Sequence, residues 1–313
     1  MKRHRLECGA VPTPTKCRVC DGHLELFQSG HGSQHHHSAF NPSCHRVGAH
    51  GDLYRCTECG TVHQPSLPRG AALHDLYRAV NDDSYMREER GRRRTARKLL
   101  DLLGAHVTRG RLLQVGCGHG LLLDEARRRG YDVEGVELSV AAAGYAREKL
   151  GLPLRELAIE DTELEDGRYD AILLVDVLEH LDDPVLVLDR LVAALAPGGA
   201  MLIVTPDPSS LVARAAGSQW WGYVPAHYCL IPHKTVRELI VARGLMPVKD
   251  VRSVHSFTFG YWLAGLGGRG GLVGKWLTQL AARLPRSLLL TASLRDERVL
   301  LARHIDARFA AHE

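Results

Sequence analysis

Leu112-Leu113-Gln114-Val115-Gly116-Cys117-Gly118-His119-Gly120 is the stretch that decides the fold. A short apolar run reads as a buried strand, it enters a Gly-x-Gly-x-Gly turn, and Leu121 to Arg129 follows at helical spacing. Glycines at such a turn let a ligand approach the backbone, and free N–H groups at a helix start favour polar or anionic atoms. The dinucleotide fingerprint would need glycine at 121, where Leu121 stands, so a dinucleotide site is the weaker reading. Asp132 to Glu137 reads as the next strand, and Glu137 ends it seventeen residues after Gly120. In this topology such a carboxylate can hydrogen-bond both hydroxyls of a ribose. The turn and the acid, in that order on consecutive strands, predict a nucleoside-binding crevice.

Outward from this pair the alternation continues. Helices are expected over 140–150, 184–195 and 234–243, and strands over 154–159, 170–176, 200–205 and 245–254, with a last apolar run at 298–304. Pro197-Gly198-Gly199 reads as a stop and turn after the second of those helices. Strands alternating with helices of this length imply right-handed crossovers and a doubly wound α/β sheet. The expected division is a cysteine module at 1–66, a helical linker at 67–108 and an α/β domain at 109–313. Within the last, residues 260–294 interrupt the pattern before the final strand; a lid, a dimer contact and an interfacial helix all suit them, and a surface excursion packed on its own domain is the first reading. The linker holds a basic stretch, Arg87 to Lys98, which reads first as a solvated helix face.

The chain has 313 residues, 45% apolar and 24% charged, which excludes disorder and collagen-like or coiled-coil architecture. No run reaches the roughly 18 apolar residues a spanning helix needs. The basic N-terminus lacks an apolar run and a cleavage site behind it, so a cytoplasmic protein is expected. A net charge of +4 on 40 basic and 36 acidic residues is too balanced for a protein that coats nucleic acid. Six of the eight cysteines lie before residue 60. Cys17-x-x-Cys20 and Cys56-x-x-Cys59 form two knuckles whose four thiolates match tetrahedral Zn²⁺, and the His-rich insert, with His35 to His37, lengthens the gap between them. Cys8 and Cys44 are bystanders by default.

At this point the sequence resembles a known family. The glycine-turn stretch, Val-Glu-Gly-Val-Glu-Leu-Ser (133–139), Tyr-Asp-Ala-Ile-Leu-Leu-Val-Asp-Val-Leu-Glu-His-Leu (169–181) and Leu-Ala-Pro-Gly-Gly-Ala-Met-Leu-Ile-Val-Thr-Pro (195–206) look like the successive motifs of class I S-adenosylmethionine-dependent methyltransferases. They are most similar to the branch containing the ubiquinone-biosynthesis O-methyltransferases. The resemblance implies a seven-stranded Rossmann-like sheet with S-adenosyl-L-methionine over the carboxyl ends of the first strands. It implies Gly116, Cys117, Gly118 and Gly120 against the methionyl part, Glu137 on the ribose, and Leu138, Ile159 and Glu160 around the adenine. Asp176 and Val177 would face the sulfonium, and Tyr85 would cap the cofactor. Gln114 and Ala158 depart from the family, which usually has an acid at the first position and often an Asp at the second.

Methyl transfer from a sulfonium is an in-line displacement, so the protein must position the acceptor and, for a hydroxyl or amine, supply a base. His180, just past the fourth strand, and His227, in Trp220-Trp221-Gly222-Tyr223-Val224-Pro225-Ala226-His227-Tyr228, are the candidates; the alternatives are a loop-fixing histidine and a packed one. The leading expectation is O-methylation of a small-molecule acceptor. An RNA methyltransferase using the ribbon for recognition is the second, although the Asn/Asp-Pro-Pro-Tyr type motif is missing after the fourth strand. A non-catalytic recruitment module is the third, and the intact glycine turn and Glu137 stand against it.

Overall fold

The computed structural model describes residues 16–30, 40, 50–65, 67–82, 84–267, 276, 279–281, 283–285 and 287–304. Cys8, Cys44, His35 to His37 and part of the apolar run beginning at Trp276 lie outside the described residues.

In chain order the elements are β1 (Leu24–Gln28), β2 (Leu53–Cys56), β3 (Val62–His63), α1 (Ala71–Arg78), α2 (Glu89–Gly104), β4 (Gly110–Val115), α3 (Leu121–Arg128), β5 (Tyr131–Val136), α4 (Val140–Leu150), β6 (Leu154–Arg155) and β7 (Tyr169–Val175). There follow α5 (Pro184–Ala194), β8 (Leu195–Pro206), α6 (Leu211–Ala216), β9 (Cys229–Leu230), α7 (His233–Ala242), β10 (Leu245–Arg252), β11 (His255–Thr258), α8 (Phe259–Gly267), β12 (Leu289–Ala292) and β13 (Glu297–His304). Seven strands form the main sheet in the order β10-β13-β8-β7-β4-β5-β6. β13 runs antiparallel to both neighbours, and the pairs from β8 to β6 are parallel.

The continuous apolar strands are explained by two cores. Alternate residues of one strand point to opposite faces, so Leu113, Val115, Ile172, Leu174, Met201 and Ile203 join Val187, Leu191 and Ile240 of α5 and α7 on one side. Leu112, Ala171, Leu173, Leu202 and Val204 join Leu99, Leu103, Leu123 and Ala126 of α2 and α3 on the other. A strand buried on both faces has no polar side to show, which is why β7 reads as unbroken Ala-Ile-Leu-Leu-Val. The strand order reverses between β4 and β7, and in open sheets of this kind ligands bind at the carboxyl ends beside that reversal.

Three elements differ from the sequence reading. The strand expected over 154–159 is only Leu154–Arg155, because β6 is an edge strand and the chain then turns at Ile159–Asp161, where Arg190 donates to the carbonyls of Ile159 and Glu160. The Pro-Gly-Gly stop lies inside β8, which starts at Leu195 and absorbs the turn through a register shift against β7. The excursion before the last strand is closed at its base by the antiparallel pair β11–β12, so it opens at His255, earlier than residue 260. The cysteine module also does not stand apart: its sheet runs β1-β2-β3-β9, and β9 belongs to the α/β part of the chain.

Candidate active site

One cavity of about 700 Å³ opens at the carboxyl ends of β4, β5 and β7. Its floor is the turn after β4. Gly116 and Gly118 have φ of 59° and 54° and line the cavity. Glu137 reaches across from the end of β5, and its two oxygens accept from the backbone N–H of Gly118 (2.6 Å) and Ser139 (2.7 Å). Burial pushes the Glu137 carboxyl up, against the pull of those N–H groups. Ser139 caps α4 by accepting from Ala142 N and donates to Val80 O (2.8 Å), which ties the acid's loop to the helical linker. Leu138, Ala158, Ile159 and Glu160 form one wall. Tyr85 closes the opposite side, stacked on His119 with ring centroids 4.7 Å apart and with the Arg92 guanidinium 3.6 Å from its ring.

Gly120 is the exception among the expected cofactor residues. A methyl there would meet Leu152 Cδ1 at 2.5 Å and Ala146 Cβ at 3.0 Å, so this glycine serves the packing of the turn on α4.

The far end of the cavity is built at the end of β7. Asp176 has φ of 54°, rare for a residue with a side chain, and a strained backbone of that kind costs on the order of 1 kcal/mol or more. It turns the chain so that Asp176, Val177, Glu179 and His180 all line the cavity. His227 enters from the segment before β9, its ring centroid 5.0 Å from that of His180. One ligand atom each from Glu179, His180 and His227 lies within 4.8 Å of the others. The Nδ1 of His227 faces Gly222 O at 2.6 Å, and that of His180 faces Ala226 O at 2.9 Å. A carbonyl only accepts, so each Nδ1 carries the proton and each Nε2 keeps the lone pair. Burial drives His180 down to about 4 and, with His180 beside it, His227 down to about 3, so both rings are neutral near pH 7.

The carboxylates here are crowded. Burial and the neighbouring Glu297 raise Asp176 to about 8, and burial with Asp176 alongside lifts Glu179 well above the carboxylate range. Glu179 also accepts from Thr205 Oγ1 at 3.0 Å. Glu297 pairs with His255, whose own proton affinity the acid raises to about 9 in spite of burial. Trp220 and Trp221 both donate from Nε1 to Asp296, at 2.7 and 2.5 Å.

The cavity fits the expected cofactor. Gln114 Oε1 is buried on its wall and finds no hydrogen-bond partner among the described residues, and a methyl on Gly118 would meet nothing nearer than Tyr85 Oη at 3.9 Å. An ammonium group can satisfy the first and a close-lying ligand fills the second. The cysteine cluster fits zinc. Cys17 and Cys59 sulfurs are 3.6 Å apart and those of Cys20 and Cys56 3.5 Å. Four sulfurs at about 2.3 Å from a tetrahedral ion stand roughly 3.8 Å from one another.

Sequence reasoning passed over Glu179, Gln114 as a ligand group, and the His255–Glu297 pair. Glu179 was legible beside His180 in the Asp-Val-Leu-Glu-His stretch. No local signal marks Glu297, which the last strand brings in from 121 positions beyond Asp176.

A methyltransferase-domain family matches residues 85–249, more than half of the chain. The ubiquinone biosynthesis O-methyltransferase of Acinetobacter baylyi is 27% identical over 175 residues, covering 49% of this chain and 71% of the relative. That of Nitrobacter winogradskyi is 42% identical over 117 residues, covering 36% of this chain and 42% of the relative. Among solved structures, the geranyl diphosphate C-methyltransferase of Streptomyces coelicolor aligns with a TM-score of 0.46 and 19% identity, over 69% of this chain and 80% of its own. The 1,6-didemethyltoxoflavin-N1-methyltransferase of Burkholderia thailandensis aligns with a TM-score of 0.46 and 18% identity, over 80% of this chain and 98% of its own.

Proposed function

The chain belongs to the methyltransferase-domain family, as a class I S-adenosylmethionine-dependent methyltransferase, and we propose that it methylates a hydroxyl oxygen of a small apolar acceptor. The observation that carries this reading is the pair of neutral histidines, each with Nε2 unprotonated, in the same cavity as the glycine turn and Glu137.

S-Adenosylmethionine supplies an electrophilic methyl group on a sulfonium sulfur. The backbone at Gly116 and Gly118 and the Gln114 amide would hold its amino-acid part, Glu137 its ribose, and Leu138 with Ile159 and Glu160 its base. Asp176 and Val177 would border the sulfonium, and Tyr85 with His119 would exclude water above it. His180 or His227 would take the acceptor's proton at Nε2 as the oxygen attacks. Zn²⁺ held by Cys17, Cys20, Cys56 and Cys59 would be structural, since its thiolates lie in the ribbon and not on the cavity.

Relatives that are ubiquinone biosynthesis O-methyltransferases support oxygen as the atom methylated. The lining supports a neutral acceptor. Asp176, Glu179, Asp296 and Glu297 crowd the histidine end, and among the described lining residues Arg92 is the one Lys or Arg. With Asp176 and Glu179 largely protonated, Glu297 paired with His255 and one guanidinium on the lining, this wall offers a phosphate little counter-charge, which disfavours an RNA acceptor. A second reading is favoured by one observation: Glu179, His180 and His227 converge closely enough to hold a divalent cation, which would acidify the hydroxyl in place of a histidine base. No helix among the described residues is long and apolar enough to cross a membrane.

The test is to incubate cell extract with labelled S-adenosylmethionine and identify the compound that gains the methyl group. His180→Ala and His227→Ala proteins should still bind S-adenosylhomocysteine and lose turnover; full rate in both removes the base assignment. Chelation followed by Mg²⁺ or Mn²⁺ separates the two readings, because only the second gains rate from the metal.

A further inference from the structure

Gln64 follows β3 directly, only 1% exposed, at the seam between the ribbon and the α/β domain. Its Nε2 lies within hydrogen-bond distance of three carbonyls of the turn that carries His227: Pro225 O (3.0 Å), His227 O (3.3 Å) and Val224 O (3.4 Å). Its backbone N–H donates to Tyr228 O at 3.0 Å, and its Oε1 is fixed by Gly51 N at 2.8 Å. The other carbonyls of the same turn are taken from the catalytic side: Gly222 O by the His227 ring, and Ala226 O by Tyr77 Oη (2.9 Å) and the His180 ring. Tyr228 N then donates to Glu179 O at 2.7 Å. Buried carbonyls must find donors, and four of the six named here, those of Val224, Pro225, His227 and Tyr228, find one in Gln64.

The ribbon in turn is anchored at both knuckles. Arg18, between Cys17 and Cys20, donates to Asp182 O at 2.8 Å and pairs with the Asp182 carboxylate, two residues past His180. Thr235 Oγ1 donates to Cys59 O at 2.9 Å, and β3 pairs with β9 through Val62–Leu230 and His63–Cys229. The cysteine cluster, β3, Gln64 and the His227 turn are therefore one mechanically continuous unit.

We infer that Gln64 is a positioning residue for the acceptor chemistry: through it the cysteine ribbon sets where His227 and His180 stand, so the ribbon backs the acceptor site and is no separate recruitment module. The inference rests on the proposed role of those histidines. Among the described residues Gln64 is not on the cavity lining and its hydrogen bonds go to Gly51 and to the turn at 224–228, so donor binding is expected to be independent of it.

The experiment uses the full chain with Gln64→Ala and, as a milder change that keeps the amide but shortens its reach, Gln64→Asn. Three quantities are read: S-adenosylhomocysteine affinity by calorimetry, the His227 ring signals in ¹H–¹³C spectra, and single-turnover labelling of cell extract from S-adenosylmethionine. Expected are unchanged affinity, shifted or broadened His227 signals, and labelling reduced about 10- to 100-fold, the usual result of displacing a catalytic group by about 1 Å. Wild-type labelling and wild-type ring signals in both variants would overturn the inference. Equal loss of donor affinity, labelling and thermal stability would also overturn it, by showing a merely structural role. A wild-type protein that labels nothing counts against the proposed chemistry instead, while the ring spectra still decide whether Gln64 holds His227.

Discussion

Gly118→Ala and Gly120→Ala are chemically the same change two residues apart, and the structure assigns them opposite consequences. Both glycines hold positive φ, 54° and 76°, where alanine costs roughly 1–2 kcal/mol. At Gly118 the added methyl enters the cavity, with its nearest neighbour 3.9 Å away, so the backbone cost is the whole cost to the fold. At Gly120 the methyl lies 2.5 Å from Leu152 Cδ1 and 3.0 Å from Ala146 Cβ, inside a packed contact with α4. Overpacking adds about 1–3 kcal/mol, bringing the total to roughly 2–5 kcal/mol. At about 2–4 °C per kcal/mol, Gly118→Ala should lower Tm by a few degrees and Gly120→Ala by two to three times as much. Donor binding should follow the reverse order. The Gly118 methyl occupies space the ligand needs, so S-adenosylhomocysteine affinity should fall at least about tenfold, or about 1.4 kcal/mol. In Gly120→Ala the ligand-facing surface is untouched, and affinity measured well below its Tm should stay within about twofold. Differential scanning fluorimetry gives the first quantity and isothermal calorimetry the second. Wild-type affinity in Gly118→Ala, or weak binding with an unaltered Tm in Gly120→Ala, would refute the assignment of the cavity to the donor.

Three further outcomes are expected. Glu137→Gln keeps one oxygen for an N–H of Gly118 or Ser139 but loses the charge, and S-adenosylhomocysteine binding should weaken about 10- to 100-fold by calorimetry with circular dichroism unchanged. His255 has its folded pKa raised to about 9 above an ordinary 6.5, so the unfolded chain binds fewer protons between those values. Its contribution is complete below about pH 6.5 and fades as pH rises toward 9, by up to about 1.4 kcal/mol per pH unit, and urea melts of a His255→Gln protein should show a shallower slope over that window. Cys56→Ser should remove bound zinc, measured by elemental analysis, and lower Tm while S-adenosylhomocysteine affinity is retained; a full complement of zinc in that variant would exclude the four-cysteine site.

Much of this was local in the chain. The glycine turn after an apolar strand, the acid at the end of the next strand and the unbroken apolar run at 171–175 each announce their place through backbone geometry and burial, which depend on neighbours a few residues away. The same holds for the two Cys-x-x-Cys knuckles, whose spacing presents both sulfurs of each to one ion. The expected strand over 154–159 fell short for a complementary reason. Its apolar residues were legible, but whether a segment pairs along its length depends on the neighbouring edge, and Arg190 from α5 claims the carbonyls instead.

By itself the sequence determined the doubly wound sheet and the places in it of the glycine turn and of Glu137, because periodicity and turn chemistry act over short distances; the other donor-site residues came only as what the resemblance implied. Only the tertiary structure decided that Gly120 packs on α4, that Glu179, His180 and His227 meet at one point, and that Gln64 reaches from the ribbon to the turn behind His227. Those contacts join segments 26 to 163 positions apart, and what selects them is close packing and which buried polar groups still lack a partner once the strands have paired.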